Sequence, residues 1–331
     1  MLKKFKKKNE SSKIKDNISE IKRKIITKNE LNFSPLNISN NQKNILKRKT
    51  KYEINNIFIY PQLFLLKTLI FYILINPILT QIKLRNLNFI QIIDLKVFSN
   101  QKATKIINEN YIPDRIYING NKSNIDFFGY VIIEKDKINN ITLEWDQKRN
   151  NYNELFNDID SLIEIDLSNF DTSGVTSMGG MFLKCVNLIS INLTNINISM
   201  VYNMTSMFEK CESLISLNLS NFGISEVYYI DRMFRDCFSL ISLNLSNFKT
   251  PNLIKMKEMF FRCESLQYLD ISNINTSKII NMNSLFYYCL KLTSINISNF
   301  DTKNVQNMDK MFRNCESLIS IDLSNMDTSN V

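Results

Sequence analysis

The chain contains no histidine. That removes the commonest general base at neutral pH and the commonest metal ligand. Its six cysteines include no C-x-x-C pair, so a zinc site has no ligand set either. Glycine occurs six times and builds no Gly-rich phosphate loop. A nucleophile elbow and a pair of carboxylates outside the repeating pattern are also missing, and periodic Ser and Asp residues belong to that pattern. These absences point away from an enzyme and call for no cofactor or metal. Tryptophan is scarce too: Trp145 is the only one, and a packing role is expected of it.

The net charge of +9 is unevenly spread. Residues 1–56 carry 16 Lys or Arg against 5 Asp or Glu, and the rest carries 25 against 27. A basic surface for nucleic acid would therefore lie in the leader, and no nucleic-acid partner is expected of the remainder. With KKFKKK, IKRK and KRKTK, many Asn and Ser and weak apolar periodicity, residues 1–56 read as a basic, mostly disordered cytoplasmic leader, with some helix around Ile14–Ile26.

Residues 57–80, IFIYPQLFLLKTLIFYILINPILT, are apolar over about the length that spans a bilayer. Pro61, Lys67, Asn76 and Pro77 interrupt them. Three readings compete: a signal-anchor transmembrane helix, a cleaved signal, and an apolar segment of a soluble protein. The first predicts a single-pass membrane protein, N-terminus cytoplasmic and the remainder outside, by the positive-inside rule. The second predicts a secreted chain and the third a cytoplasmic one.

Residues 81–151 change texture. Ile92–Phe98, Arg115–Asn119, Tyr130–Glu134 and Asn140–Trp145 are short β-branched and aromatic runs separated by turn signals such as Asn119-Gly120-Asn121. They predict a small antiparallel β module that caps the C-terminal half of the chain.

From Tyr152 to Val331 the chain repeats itself. Cys185, Cys211, Cys237, Cys263, Cys289 and Cys315 mark a period of 26 residues. Leu155-Phe156 and Ile159 fill the same slots in a degenerate first rung. Within a rung, Leu217 and Leu219 alternate with Ser216 and Asn218, the period of a strand with one buried face. Val175, Met178, Met181, Phe182 and Cys185 fall at i, i+3, i+6, i+7 and i+10, the apolar stripe of a short helix. Thr172 sits where its N-cap belongs, and Thr250-Pro251 holds the same place in a later rung. The expected fold is an α/β solenoid of about seven strand-turn-helix rungs, residues 152–331, with a parallel sheet on one face. The last rung stops at Val331, inside its helix slot. That predicts a frayed end: a truncated chain, a fragment, or an end covered by a partner.

The pattern L-x-S-L-N-L-S-N-F followed by V-x-x-M-x-x-M-F-x-x-C resembles the BspA-like leucine-rich repeat family. The stretch Tyr111–Trp145 is similar to a module preceding such repeats in some eukaryotic members. The resemblance implies a curved leucine-rich repeat displayed at the cell surface, with adhesion or ligand binding as its usual assignment. One departure stands out: Asn221 follows Leu219 by two residues where the general leucine-rich pattern has three.

Three roles compete for the cysteines. Metal binding lacks ligands. Disulfides between stacked neighbours suit parallel Cβ vectors poorly. Buried core thiols remain. Free thiols favour an intracellular setting, against the anchor reading. The turn asparagines, Asn169 through Asn325, are expected to bond to backbone groups of the turn.

Outward strand positions form the candidate ligand surface. One rank is Glu164, Ser190, Ser216, Ser242, Tyr268, Ser294 and Ser320; the next is Asp166, Asn192, Asn218, Asn244, Asp270, Asn296 and Asp322. Tyr268, beside Asp270, breaks the serine rank and is the sharpest candidate contact. Extended faces of repeat proteins bind protein or glycan ligands. The alternative is an intracellular scaffold for protein–protein interaction. Beyond residue 80, sequons occur at Asn121, Asn140, Asn192, Asn197, Asn203, Asn218, Asn244, Asn275 and Asn296. Glycans at the strand positions would obstruct that face.

Overall fold

A computed structural model describes residues 90–222 and 226–331. The leader and the apolar segment 57–80 lie outside the described residues, as does the expected helix at 14–26.

The β-branched runs form strands. They are β1 (Gln91–Phe98), β2 (Ala103–Lys105), β3 (Arg115–Ile118), β4 (Asn121–Ser123), β5 (Tyr130–Ile132) and β6 (Ile138–Trp145). Asn119 and Gly120 both take positive φ, 50° and 83°, the conformation that a two-residue hairpin turn between β3 and β4 requires. Alternation sets the faces. In β1, Ile93, Leu95 and Val97 are buried while Asp94 and Lys96 point outward. Trp145 is buried and donates its indole N–H to the Tyr111 carbonyl at 2.9 Å.

The rungs add β7 (Leu162–Asp166), β8 (Ser190–Asn192), β9 (Ser216–Asn218), β10 (Ser242–Asn244), β11 (Tyr268–Asp270) and β12 (Ser294–Asn296). One six-stranded sheet runs β4-β3-β6-β1-β7-β8, and β10-β9, β11-β12 and β2-β5 form two-stranded sheets. β1 pairs antiparallel with both β6 and β7, and β7 pairs parallel with β8. The edge of the first rung strand is thus occupied by β1.

The strand-turn-helix solenoid of leucine-rich repeat type is corrected here. Among the described residues there is no α-helix, only a three-residue 3-10 turn at Glu109–Tyr111. The segment expected to be helical is a chain of turns. Met181 N–H bonds to Met178 O, Cys185 N–H to Phe182 O and Leu188 N–H to Cys185 O, each spanning three residues. Between these, Gly180 and Lys184 take left-handed φ of 61° and 60°, and the pair recurs at Ser206 and Lys210, and at Arg232 and Asp236. A left-handed residue breaks an α-helix. The N–H groups a helix would direct to i−4 go instead to the next rung: Phe156 to Met181 O at 2.8 Å, Phe182 to Met207 O and Phe208 to Met233 O, both at 2.9 Å. Successive turns advance three or four residues each, so their corners reproduce the apolar spacing of a helix. A ten-residue helix is also marginal by itself, whereas the stack supplies partners for its donors.

The core is built of columns. Phe156, Phe182, Phe208, Phe234, Phe260, Phe286 and Phe312 stack with centroids 5.3–5.7 Å apart and rings nearly parallel. Burying each such side chain contributes roughly 1.5–3 kcal/mol. Beside them run Leu, Met and Cys columns, and all six thiols are unpaired. Each thiol donates to the phenylalanine carbonyl 29 residues earlier, as Cys237 does to Phe208 O at 3.1 Å. Burial pushes the thiols of Cys185, Cys211, Cys237, Cys263 and Cys289 well above the ordinary range. Thr172 caps no helix. It is buried, and its hydroxyl accepts the Asn197 N–H of the next rung at 2.7 Å; Thr276 and Thr302 repeat the arrangement.

The single-pass membrane placement is corrected as well. A helical span takes about 20 apolar residues, and no helix among the described residues is long and apolar enough to cross a membrane. At the far end Ser320–Asp322 form no strand, and Val331 is exposed.

Candidate functional site

None of the fourteen strand-face candidates is buried. Glu164, Asp166, Ser190, Asn192, Ser216, Asp270 and Asn296 are partly covered; Asn218, Ser242, Asn244, Tyr268, Ser294, Ser320 and Asp322 are exposed. Register fixes their alignment: Glu164 pairs with Ser190, Asp166 with Asn192, Ser242 with Ser216, and Asp270 with Asn296.

The rank continues into the β module. Tyr117 pairs with Thr142, Thr142 with Asp94, Asp94 with Asp166, and Asp166 with Asn192. A cavity of about 430 Å³ opens there. It brings Glu164, Asp166, Ser190 and Asn192 together with Asp94, Lys96, Asn140 and Thr142. Lys96 is ion-paired to Glu164, and Thr142 donates its hydroxyl proton to Asp94 at 2.6 Å. Asp94 and Asp166 face one another as like charges, an unfavourable cross-strand pair by itself. Sequence reasoning missed Asp94, Lys96 and Thr142, although the alternation of IIDLKVF already turned Asp94 and Lys96 outward.

The second rank has a structural task. In each rung the strand-end Asp or Asn accepts the N–H two residues on: Asp166 from Ser168 at 2.8 Å, Asn218 from Ser220 and Asn244 from Ser246 at 3.0 Å. Asx turns of this kind recur at two further corners, as at Asn197–Ser199 and Asn203–Thr205. Seven of the nine sequons among the described residues, at Asn192, Asn197, Asn203, Asn218, Asn244, Asn275 and Asn296, are such turns. The Asn-x-Ser/Thr density thus has a folding origin. At Asp270 burial opposes ionisation, but hydrogen bonds from Ser272 and Asn296 hold the carboxyl below its ordinary range. Ser324 does the same for exposed Asp322.

The turn asparagines bond across rungs. Asn247 donates its side-chain N–H to Ser220 O at 2.8 Å, Asn273 to Ser246 O and Asn325 to Ser298 O, both at 2.7 Å. Asn221 reaches both Leu193 O and Thr194 O of the preceding turn.

A family model described as "Mycoplasma protein of unknown function, DUF285" matches residues 150–268 and 238–331, together more than half the chain. The chain belongs to this family. The DUF285 match begins where the rungs begin and leaves the β module and Asp94, Lys96 and Thr142 outside it. It carries no mention of a BspA-like repeat. No curated protein and no solved structure matches the chain.

Among the described residues no group of three or more His, Cys, Asp or Glu is placed to hold a metal ion.

Proposed function

We propose that this chain is a binding protein, without catalysis, whose protein or glycan ligand lies along the strand face. One observation carries the reading. The outward rank Tyr117–Thr142–Asp94–Asp166–Asn192 is in continuous strand register, so module and rungs offer one surface. Affinity on such a surface sums over rungs, from serine hydroxyls and asparagine amides, with Tyr268 as an aromatic anchor. Tyr268 is 55% exposed where the neighbouring rungs present serine. The resemblance of the repeat to BspA-like repeats, usually assigned to adhesion or ligand binding, supports the same reading.

The test is a panel of glycans and immobilised proteins probed with the full chain and with a triple variant, Ser190→Arg, Ser216→Arg and Ser242→Arg. Any ligand retained by the full chain is expected to lose at least tenfold affinity for the variant. A control, Lys278→Ala, leaves it unchanged. A ligand bound equally by the triple variant contradicts the proposal.

A further inference from the structure

A second wall of the rungs carries a break in the repeat. The position bridging neighbouring rungs is filled in turn by Asn151, Ser177, Asn203, Tyr229, Lys255, Asn281 and Asn307. Where it is asparagine, the side chain closes an Asx turn, as Asn281 does with the Asn283 N–H at 2.8 Å. Lys255 cannot do so. The Lys257 N–H left over is taken instead by Asp231 of the preceding rung, at 2.8 Å. The rung in which Ser177 fills this position does the same: the Gly179 N–H is taken by Asn153 of the preceding rung, at 2.7 Å.

Around it lies a cavity of about 440 Å³ lined by Arg232, Lys255, Lys257, Asp231, Ile254 and Ile280, among others. Lys257 and Arg232 are held by Glu258, at 3.1 and 3.0 Å. Lys255 has no carboxylate within ion-pair distance among the described residues; its ammonium lies 5.5 Å from the Tyr229 ring centroid. Ile254 and Ile280 make an apolar side, and Ile280 is 54% exposed. Asn281 and Thr205 border the cavity too, and Asn281 spends its oxygen on the turn, leaving its amide to donate.

We infer that this cavity binds an acidic saccharide. Lys255 takes the carboxylate, Asp231 and the Asn281 amide take hydroxyls, and Ile254 and Ile280 meet the C–H face of the ring. A charge-assisted bond to an ammonium that holds no ion pair among the described residues supplies the discrimination against neutral sugars. The inference is independent of the strand-face reading, because the two surfaces share no residue.

The experiment is calorimetric titration of the full chain with a hyaluronan tetrasaccharide, in which every second unit is a glucuronate. Chitotetraose serves as the neutral probe of equal length, with inorganic sulfate and hexaglutamate as anionic probes without a sugar. Binding of the hyaluronan tetrasaccharide at least tenfold tighter than each of the others is expected. Lys255→Asn, which restores the residue the repeat uses at Asn203 and Asn281, is expected to lower it tenfold or more. Lys255→Gln, which keeps the stem and removes the charge, gives the same loss. No binding, equal binding of chitotetraose, sulfate or hexaglutamate, or undiminished binding by both Lys255 variants overturns the inference.

Discussion

The Cys237 thiol donates to the Phe208 carbonyl one rung away, 3.1 Å distant, and both side chains are fully buried. The same bond recurs at every cysteine of the stack, from Cys185–Phe156 to Cys315–Phe286. The conspicuous chemistry of the sequence is therefore a column of core.

Alkaline pH is expected to unfold the stack. Burial raises the folded pKa of five thiols, so the folded state holds protons that the unfolded chain releases above about pH 8.5. Stability is fully present below that pH and falls above it, by about 1.4 kcal/mol per pH unit per thiol. Denaturant unfolding at pH 7 and pH 9.5 measures the slope. Cys237→Ala is expected to flatten it; a slope unchanged by that substitution refutes this account of the thiols.

Thiol labelling separates one cysteine from the rest. Cys315 is only partly buried, and contact with the Cys289 thiol draws its pKa below the ordinary value. Iodoacetamide is expected to modify Cys315 first in the native chain, and all six cysteines after denaturation. Rapid native labelling of Cys211 or Cys237 contradicts the burial.

The phenylalanine column sets rung cohesion. Phe234 lies between Phe208 and Phe260 at 5.7 Å from each. Phe234→Ala is expected to cost about 3–5 kcal/mol, the usual range for emptying a buried aromatic site. Phe127→Ala serves as a contrast: Phe127 is 89% exposed, so chemical denaturation should register almost no change.

Asparagine bonds between turns contribute less. Removing the Asn247 side chain gives up one bond to Ser220 O, worth about 1 kcal/mol. Asn221→Ala loses two bonds, to Leu193 O and Thr194 O, and is expected to destabilise more than Asn247→Ala. Equal losses count against this ladder.

Much of this fold was legible. Alternation in Leu217–Asn218–Leu219 located the strands, and the fixed slots of Leu, Met, Phe and Cys located the core. The helix was misread because its evidence was spacing alone: turns that advance three or four residues bury the same corners as helical turns do. A contrary signal lay in Gly179-Gly180 and Asp236, residues that tolerate left-handed backbone in the middle of the expected helix. Likewise Asn192-Leu193-Thr194 and its relatives read as glycosylation sequons, whereas their periodicity pointed to Asx turns. Ser320 and Asp322 lie outside any strand, whereas strand pairing aligns the outward positions of β7 with β8, β9 with β10 and β11 with β12. Their continuation through Asp94 and Thr142 depends on β1 pairing with β7, a long-range contact that no local pattern encodes.

Which residues face outward, and hence both proposed binding surfaces, depends on rungs joined by turns rather than helices. Scalar coupling across hydrogen bonds tests that most directly. The amide nitrogen of Phe234 is predicted to couple to the carbonyl carbon of Met259, its partner at 2.9 Å in the next rung. Coupling to the carbonyl of Ile230, four residues earlier in the same rung, would mark a helix and contradict the account.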